Sequence, residues 1–180
     1  NRDPRLDFTI LRPGAYFQGQ LYPTEIKNHT GQKVGFGFRK YTIETMDVIE
    51  NESPLDFMVL RYADVLLCRA EAYLESSTHK DIPAAIDIIN RIRTERTDVK
   101  MFTYDRSLSE ADARKALRFE RRIELALEGQ YWDDIKRWKI GTETYPVAVI
   151  GADGETIQTK FAKGYNLSKD NFLPIPDSEI

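Results

Sequence analysis

From Arg61 onward the apolar positions fall at helical spacing. Ala63, Leu66, Ala70 and Tyr73 recur at three- and four-residue steps and predict an amphipathic helix to about Ser77. The lead-in Phe57-Met58-Val59-Leu60 suits a strand or a first helical turn equally. Thr78-His79-Lys80 breaks the pattern. Asp81 is then placed to cap a second helix. Pro83 falls in its first turn, where a missing N–H costs nothing. Ala85, Ile88, Ile89 and Ile92 supply its apolar face. A short link predicts an antiparallel pair, and Ala63 and Ala70 allow the two backbones close approach. Ser107–Ser109 opens a third helix. Ser109 with Asp112 resembles a capping box with Asp in place of Glu. Ala116, Phe119, Ile123, Ala126 and Leu127 form its stripe, and Gly129 suits a left-handed stop. A short fourth helix spans Tyr131 to Trp138. Tyr145–Ile150 and Glu155–Phe161 flank Gly151-Ala152-Asp153-Gly154 and predict a β-hairpin with Asp-Gly in the turn.

Residues 1 to 45 carry no helical period. Pro13-Gly14, Tyr16, Phe17, Gly19, Tyr22, Pro23 and Gly35-Phe36-Gly37-Phe38 mark a turn-rich segment with short extended pieces such as Phe8–Leu11. Loops this long are uncommon and often functional. The chain thus divides into a loop-rich segment at 1–60, a helical scaffold at 61–140, and a hairpin with an irregular tail at 141–180. The helix pair, roughly 35 residues, has the length of one tetratricopeptide unit. Only one copy is clear, and one such unit cannot bury its faces alone. Sister pairs are therefore expected in a preceding portion. The start at Asn1 and the close at Pro174–Ile180 read as cuts from a longer protein.

Composition narrows the function classes. Across 180 residues, 41% are hydrophobic and 31% charged, an ordinary globular balance. A net charge of −3 lacks the basic stripe that nucleic acid rewards. Arg91, Arg93 and Arg96, spread around Glu95, read as a solvated face. Cys68, in an apolar helical run, reads as a small buried hydrophobe. No run reaches the ~18 apolar residues of a membrane span. His29 and His79 lack partners at ligand spacing, so neither a metal nor a cofactor is expected.

The stretch Glu120–Trp138 contains no nucleophile, metal cluster or phosphate loop, and points to a scaffold. Glu120 and Glu124 stand one turn apart. A glycosidase would pair two carboxylates across a cleft. Here Arg118, Arg121 and Arg122 share the helix, so an ion-pair network is expected, reaching Arg61 or Arg69. Asp64, near a helix start, reads as structural. Trp132 and Trp138 lie on different sides of their short helix and read as core.

These residues also resemble the C-terminal part of the SusD/RagB family. The resemblance is carried by Asn1-Arg2-Asp3-Pro4-Arg5-Leu6 with Thr9-Ile10, Arg39-Lys40-Tyr41, Arg61-Tyr62-Ala63-Asp64-Val65-Leu66-Leu67 with Ala70-Glu71-Ala72, and Ile89-Asn90-Arg91-Ile92-Arg93. It continues through Glu120–Trp138 to Leu173-Pro174-Ile175-Pro176 with Glu179-Ile180. It implies a mainly α fold of tetratricopeptide-like helix pairs, and non-catalytic capture of oligosaccharides or related nutrients at the outer-membrane surface. It also implies a SusC-like TonB-dependent transporter as partner, and a lipid anchor in an N-terminal half outside this sequence.

Sugar rings need aromatic platforms and a few fixed polar groups. The loop segment concentrates such groups, and Tyr16, Phe17 and Tyr22, with Gln18 and His29, are the expected ligand contacts. The resemblance itself transfers no ligand residue, because the loop shares no pattern. Two other readings stand beside this one: a tetratricopeptide-type protein-interaction scaffold without a small-molecule site, and a glycan-degrading enzyme. Exposed aromatics in the loop segment would favour a glycan. An apolar groove along the helix pair would favour a peptide.

Overall fold

A computed structural model of the chain describes residues 3–22, 36–44, 55–56, 58–95, 101–145, 147–150, 156–160 and 164–172, with backbone only at 148–150 and 156–160. His29, Arg96, Phe57 and the predicted Asp153-Gly154 turn lie outside the described residues. The chain divides into two units, Asn1–Leu127 and Glu128–Ile180.

The first unit is built on three helices. α2 (Tyr62–Glu75) and α3 (Ile82–Thr94) form the predicted pair, and α4 (Glu110–Glu124) packs on both. Leu67, Ala70, Leu74, Ala85, Ile86, Ile89, Ala113 and Leu117 are sealed between them. Each large aliphatic buried this way stabilises the unit by about 1.5–3 kcal/mol relative to exposure. Asp81 caps α3 as expected, its Oδ1 accepting from the Ala84 N–H at 2.9 Å, with Pro83 in the first turn. Ser109 caps α4 by accepting from the Asp112 N–H at 3.2 Å. The Asp112 carboxylate accepts from the Ser109 hydroxyl at 2.7 Å, so the reciprocal bond runs side chain to side chain.

The loop-rich segment begins with a helical turn, α1 (Leu6–Thr9), where an extended piece was expected; strand β1 is confined to Ile10–Leu11. β1 pairs antiparallel with β4 (Gly37–Phe38), Ile10 facing Phe38 and Leu11 facing Gly37. Between them, β2 (Tyr16–Phe17) and β3 (Gln20–Leu21) form a separate hairpin. Met58, Val59 and Leu60 belong to neither strand nor helix, and all three are exposed.

The second unit holds α5 (Gln130–Trp138), a short α6 (Gly141–Thr144) the pattern gave no sign of, and the predicted hairpin. β5 (Val147–Ile150) pairs antiparallel with β6 (Thr156–Lys160), with a bulge beside Ile150. Gly129 is left-handed at φ 81°, but it opens α5 instead of closing α4. α4 ends five residues earlier at Glu124, and Leu127 (φ 66°) takes the first left-handed position.

The largest correction concerns α4. Its predicted apolar stripe splits: Ala116 is buried at 5%, but Phe119 and Leu127 are 45% and 44% exposed. The core side carries Ala113 and Leu117, then Glu120, Arg121 and Glu124, all buried. Charge occupies the inside because charge of opposite sign meets it there. Arg93 is similarly overturned as a solvated residue, at 1% exposed. Cys68, expected buried, is exposed, with Asp64 Oδ1 at 3.7 Å and Arg121 Nη1 at 3.5 Å from its sulfur. Partial burial and the Asp64 carboxylate push its thiol up, away from thiolate reactivity.

Candidate functional site

Two clusters of sequence-predicted residues have definite places in the first unit. One is the aromatic hairpin; the other is the pair of carboxylates on α4.

The hairpin turns through Gln18 (φ 50°) and Gly19 (φ 74°), both left-handed, which matches the right-handed twist of its two strands. Tyr16 and Leu21 face each other across the strands, as do Phe17 and Gln20. Tyr16 is 68% exposed and Leu21 62% exposed, so one side of the hairpin is an open apolar surface. Phe17 and Tyr22 are half-buried and meet edge to face with ring centroids 6.4 Å apart. The Tyr22 hydroxyl lies 2.5 Å from where a Cβ would stand on Gly37, so only glycine at 37 admits it. Gln18 anchors the tip, its Nε2 donating to the Ile43 carbonyl at 2.9 Å. The Tyr22 N–H donates to Ala15 O at 2.7 Å, and the Gly14 N–H donates to Tyr22 O at 3.1 Å, fastening the base.

Tyr16, Phe17, Gln18 and Tyr22 are thus brought together. Tyr16 is presented outward, while Phe17, Tyr22 and Gln18 support it. Sequence reasoning passed over Leu21, which completes the open side. It also passed over Phe36 and Phe38, at 62% and 67% exposed. Alternation along the strand sets those two rings on the face of β4 away from Tyr22. The Gly-Phe-Gly-Phe run was visible, but nothing in it told which way the rings turn.

Glu120 and Glu124 are buried and held by arginines. Glu120 Oε1 accepts from Arg5 Nη1 at 2.6 Å, and its Oε2 accepts from Arg93 Nη1 at 2.6 Å. Glu124 accepts from Arg5 at 3.0 Å and from Arg61 at 3.1 Å. The network reaches Arg61, as expected, but not Arg69, which donates to the Tyr73 hydroxyl instead. Arg121 pairs with Asp64 at 2.8 Å, so Asp64 is structural through an ion pair as well as by its place in the first turn. Burial acts to lower the Arg5 pKa, but hydrogen bonds to Asp3 and Glu120 raise it overall, so the guanidinium stays charged. Lys40 Nζ and Arg61 Nη2 both donate to the Glu124 carbonyl, at 2.9 and 3.0 Å, capping the last turn of α4 with cations.

Beside this node, a cavity of about 400 Å³ runs between α1 and the outward side of α4, lined by Leu6, Ile10, Phe119, Ile123 and Leu127. The predicted stripe, from Phe119 on, is its wall. On α5, Trp132 is 38% exposed, so the core reading fails for that ring. Among the described residues no group of three His, Cys, Asp or Glu side chains could hold a metal ion. No described helix is long and apolar enough to cross a membrane.

One helix pair of tetratricopeptide length with a third helix packed on it, and an aromatic hairpin in the loop segment, define a mainly α scaffold. The chain belongs to the SusD family, whose pattern matches residues 1–180. It is 33% identical over 133 residues to "SusD-like protein P2" of Formosa agariphila, a match covering 72% of this chain and 24% of that protein. A SusD-like protein of Bacteroides fragilis, known from its crystal structure, superposes with a TM-score of 0.65 at 27% identity. That match covers 79% of this chain and 29% of the other. The chain therefore spans about a quarter of the relatives it matches. SusD proteins are a family of glycan-binding proteins associated with the outer membrane, not a family of enzymes.

Proposed function

We propose that this chain is part of a surface binding protein that captures an oligosaccharide and delivers it to a SusC-like TonB-dependent transporter, without altering the sugar. The membrane attachment of such a protein would come from a lipid anchor outside these residues. The observation that carries the reading is the exposure of Tyr16 on a hairpin braced from beneath. The Phe17–Tyr22 contact and the Gln18–Ile43 bond fix the hairpin that carries the ring before any ligand arrives, which lowers the ordering cost of binding. Gln18, Gln20 and His29 would supply hydroxyl partners. The carboxylates a glycosidase would need are locked to Arg5, Arg61 and Arg93.

The test is affinity electrophoresis of the chain against a panel of polysaccharides. Tyr16→Ala removes an exposed ring with little structural cost, and Tyr22→Phe serves as a folded control. Weakening by about threefold to tenfold on a retained glycan fits the loss of one aromatic platform. Unchanged affinity on that glycan removes the site. A second reading, a protein-interaction scaffold, draws on Tyr62 and Val65, exposed at 64% and 54% on α2. It predicts that Tyr62→Ala, and not Tyr16→Ala, changes partner capture.

A further inference from the structure

The second unit has a shallow cavity of about 490 Å³ that the hairpin reading leaves unused. Asp133, Lys136, Arg137, Lys139, Asn171 and Phe172 border it. Phe172, at 77%, is the most exposed large hydrophobic among the described residues.

The ring is there because the turn that carries it is fastened to α5. Tyr165 packs against Trp132 at 5.9 Å between centroids and stacks on Tyr145 at 6.4 Å. Its hydroxyl donates to Asn171 Oδ1 at 2.7 Å, and Asn171 Nδ2 donates to Leu167 O at 2.6 Å. The Asp170 N–H donates to Asn166 O, and the Asn166 N–H donates to Asp170 Oδ2, each at 2.7 Å. The first pair of bonds holds Asn171, the residue just before Phe172, and the second closes the turn at Asp170.

The charge beside the ring is unbalanced. Lys136 is matched by Asp133 at 3.1 Å, and Arg137 by the buried Asp134 at 2.7 Å. That leaves Lys139, whose ammonium has no side-chain partner among the described residues. Its backbone is held at φ 57° as the cap of α5.

We propose that this cavity binds an anionic sugar ring, either a uronate or a sulfated residue of a glycan. The apolar face of the ring lies on Phe172. Its carboxylate or sulfate meets Lys139, the cation at the rim that no carboxylate among the described residues neutralises. A neutral sugar would use the platform and waste the cations. An acidic protein surface would use the cations and have no need of an exposed phenyl ring. The two together select a charged saccharide. The inference builds on the glycan-capture reading but places this ligand at a different set of residues.

The test titrates the chain calorimetrically with oligogalacturonate, dextran sulfate, neutral dextran and poly-L-glutamate, at low salt and at about 0.15 M, where screening sets in near 8 Å. Phe172→Ala and Lys139→Asn are compared with the parent. Asn tolerates the left-handed backbone at that position. Each variant should bind oligogalacturonate or dextran sulfate about threefold to tenfold more weakly, with unchanged thermal melting. Added salt should weaken the parent more than it weakens Lys139→Asn. Whichever anionic arm binds tells carboxylate from sulfate. Binding of neutral dextran as tight as that of dextran sulfate overturns the proposal. So does binding to poly-L-glutamate that Phe172→Ala leaves intact, or no binding to either anionic glycan. If Tyr16→Ala abolishes glycan binding while Phe172→Ala does nothing, this site falls and the hairpin stands. The opposite pattern removes the hairpin and keeps this site.

Discussion

Arg5 and Glu120, 115 positions apart in the chain, meet at 2.6 Å with neither exposed to water. Arg93 reaches the other oxygen of the same carboxylate at 2.6 Å, and Asp3 and Glu124 close the group around Arg5. Helices α3 and α4 and the start of the loop segment are thus joined through one buried carboxylate. Desolvating these charges is costly, and only their mutual satisfaction offsets it.

The first prediction follows from that coupling. Glu120→Gln keeps the shape but leaves Arg5 and Arg93 facing a neutral amide. Removing one partner of a buried pair typically costs about 3–5 kcal/mol. The exposed bridge from Arg114 to Glu75, at 2.6 Å, has equally short contacts yet lies in water. Arg114→Ala should cost no more than about 1 kcal/mol. Urea denaturation of the two variants measures the difference. Equal losses would show that Glu120 is not the keystone of this node.

Asp3 gives the node a pH signature. Burial acts to raise its carboxyl pKa, but hydrogen bonds from the Arg5 side chain and backbone hold it below the ordinary value. A lowered folded-state pKa means that the unfolded chain binds the proton first as pH falls. The stabilisation is therefore complete above the unfolded value of about 3.9 and drains away below it. Asp3→Asn should be less stable than the parent at pH 6, with the gap narrowing steadily below about pH 4. Urea midpoints across that range check this. A gap that stays constant to pH 2.5 would remove Asp3 as its source.

The same node marks the limit of what the sequence discloses. The α2–α3 pair was legible because Leu66, Ala70, Ala85 and Ile89 repeat at helical spacing and Asp81 and Pro83 punctuate the start. The hairpin at 147–160 was legible from two extended runs around Asp-Gly. The inner side of α4 was not, because periodicity equates charge with solvent. Glu120, Arg93 and Arg5 defeat that rule only together, and no local window contains all three. The end of α4 was misplaced for a related reason. Gly129 announces a left-handed residue but not which helix it serves. At the candidate site, Tyr16, Phe17, Gln18 and Tyr22 cluster in sequence and stay clustered in space. Leu21 escaped notice because an aliphatic side chain in a turn-rich segment carries no signal of exposure.

Gly141 offers the last prediction, on the second unit. A Cβ there would run into the ring of Tyr165, with three ring atoms in its path. An aromatic ring already stacked on Tyr145 and packed against Trp132 has little room to give. Gly141→Ala should therefore displace Tyr165, breaking its bond to Asn171 and loosening the turn that ends at Phe172. Overpacking of this kind costs about 1–3 kcal/mol. Both tryptophans of the chain, Trp132 and Trp138, belong to this unit, so their fluorescence reports on it alone. The variant should show altered tryptophan emission and faster amide exchange across 164–172. Exchange in α2 and α3 should match the parent. Unaltered emission and exchange would mean that Tyr165 is not what holds the turn in place, and the platform for Phe172 would lose its support.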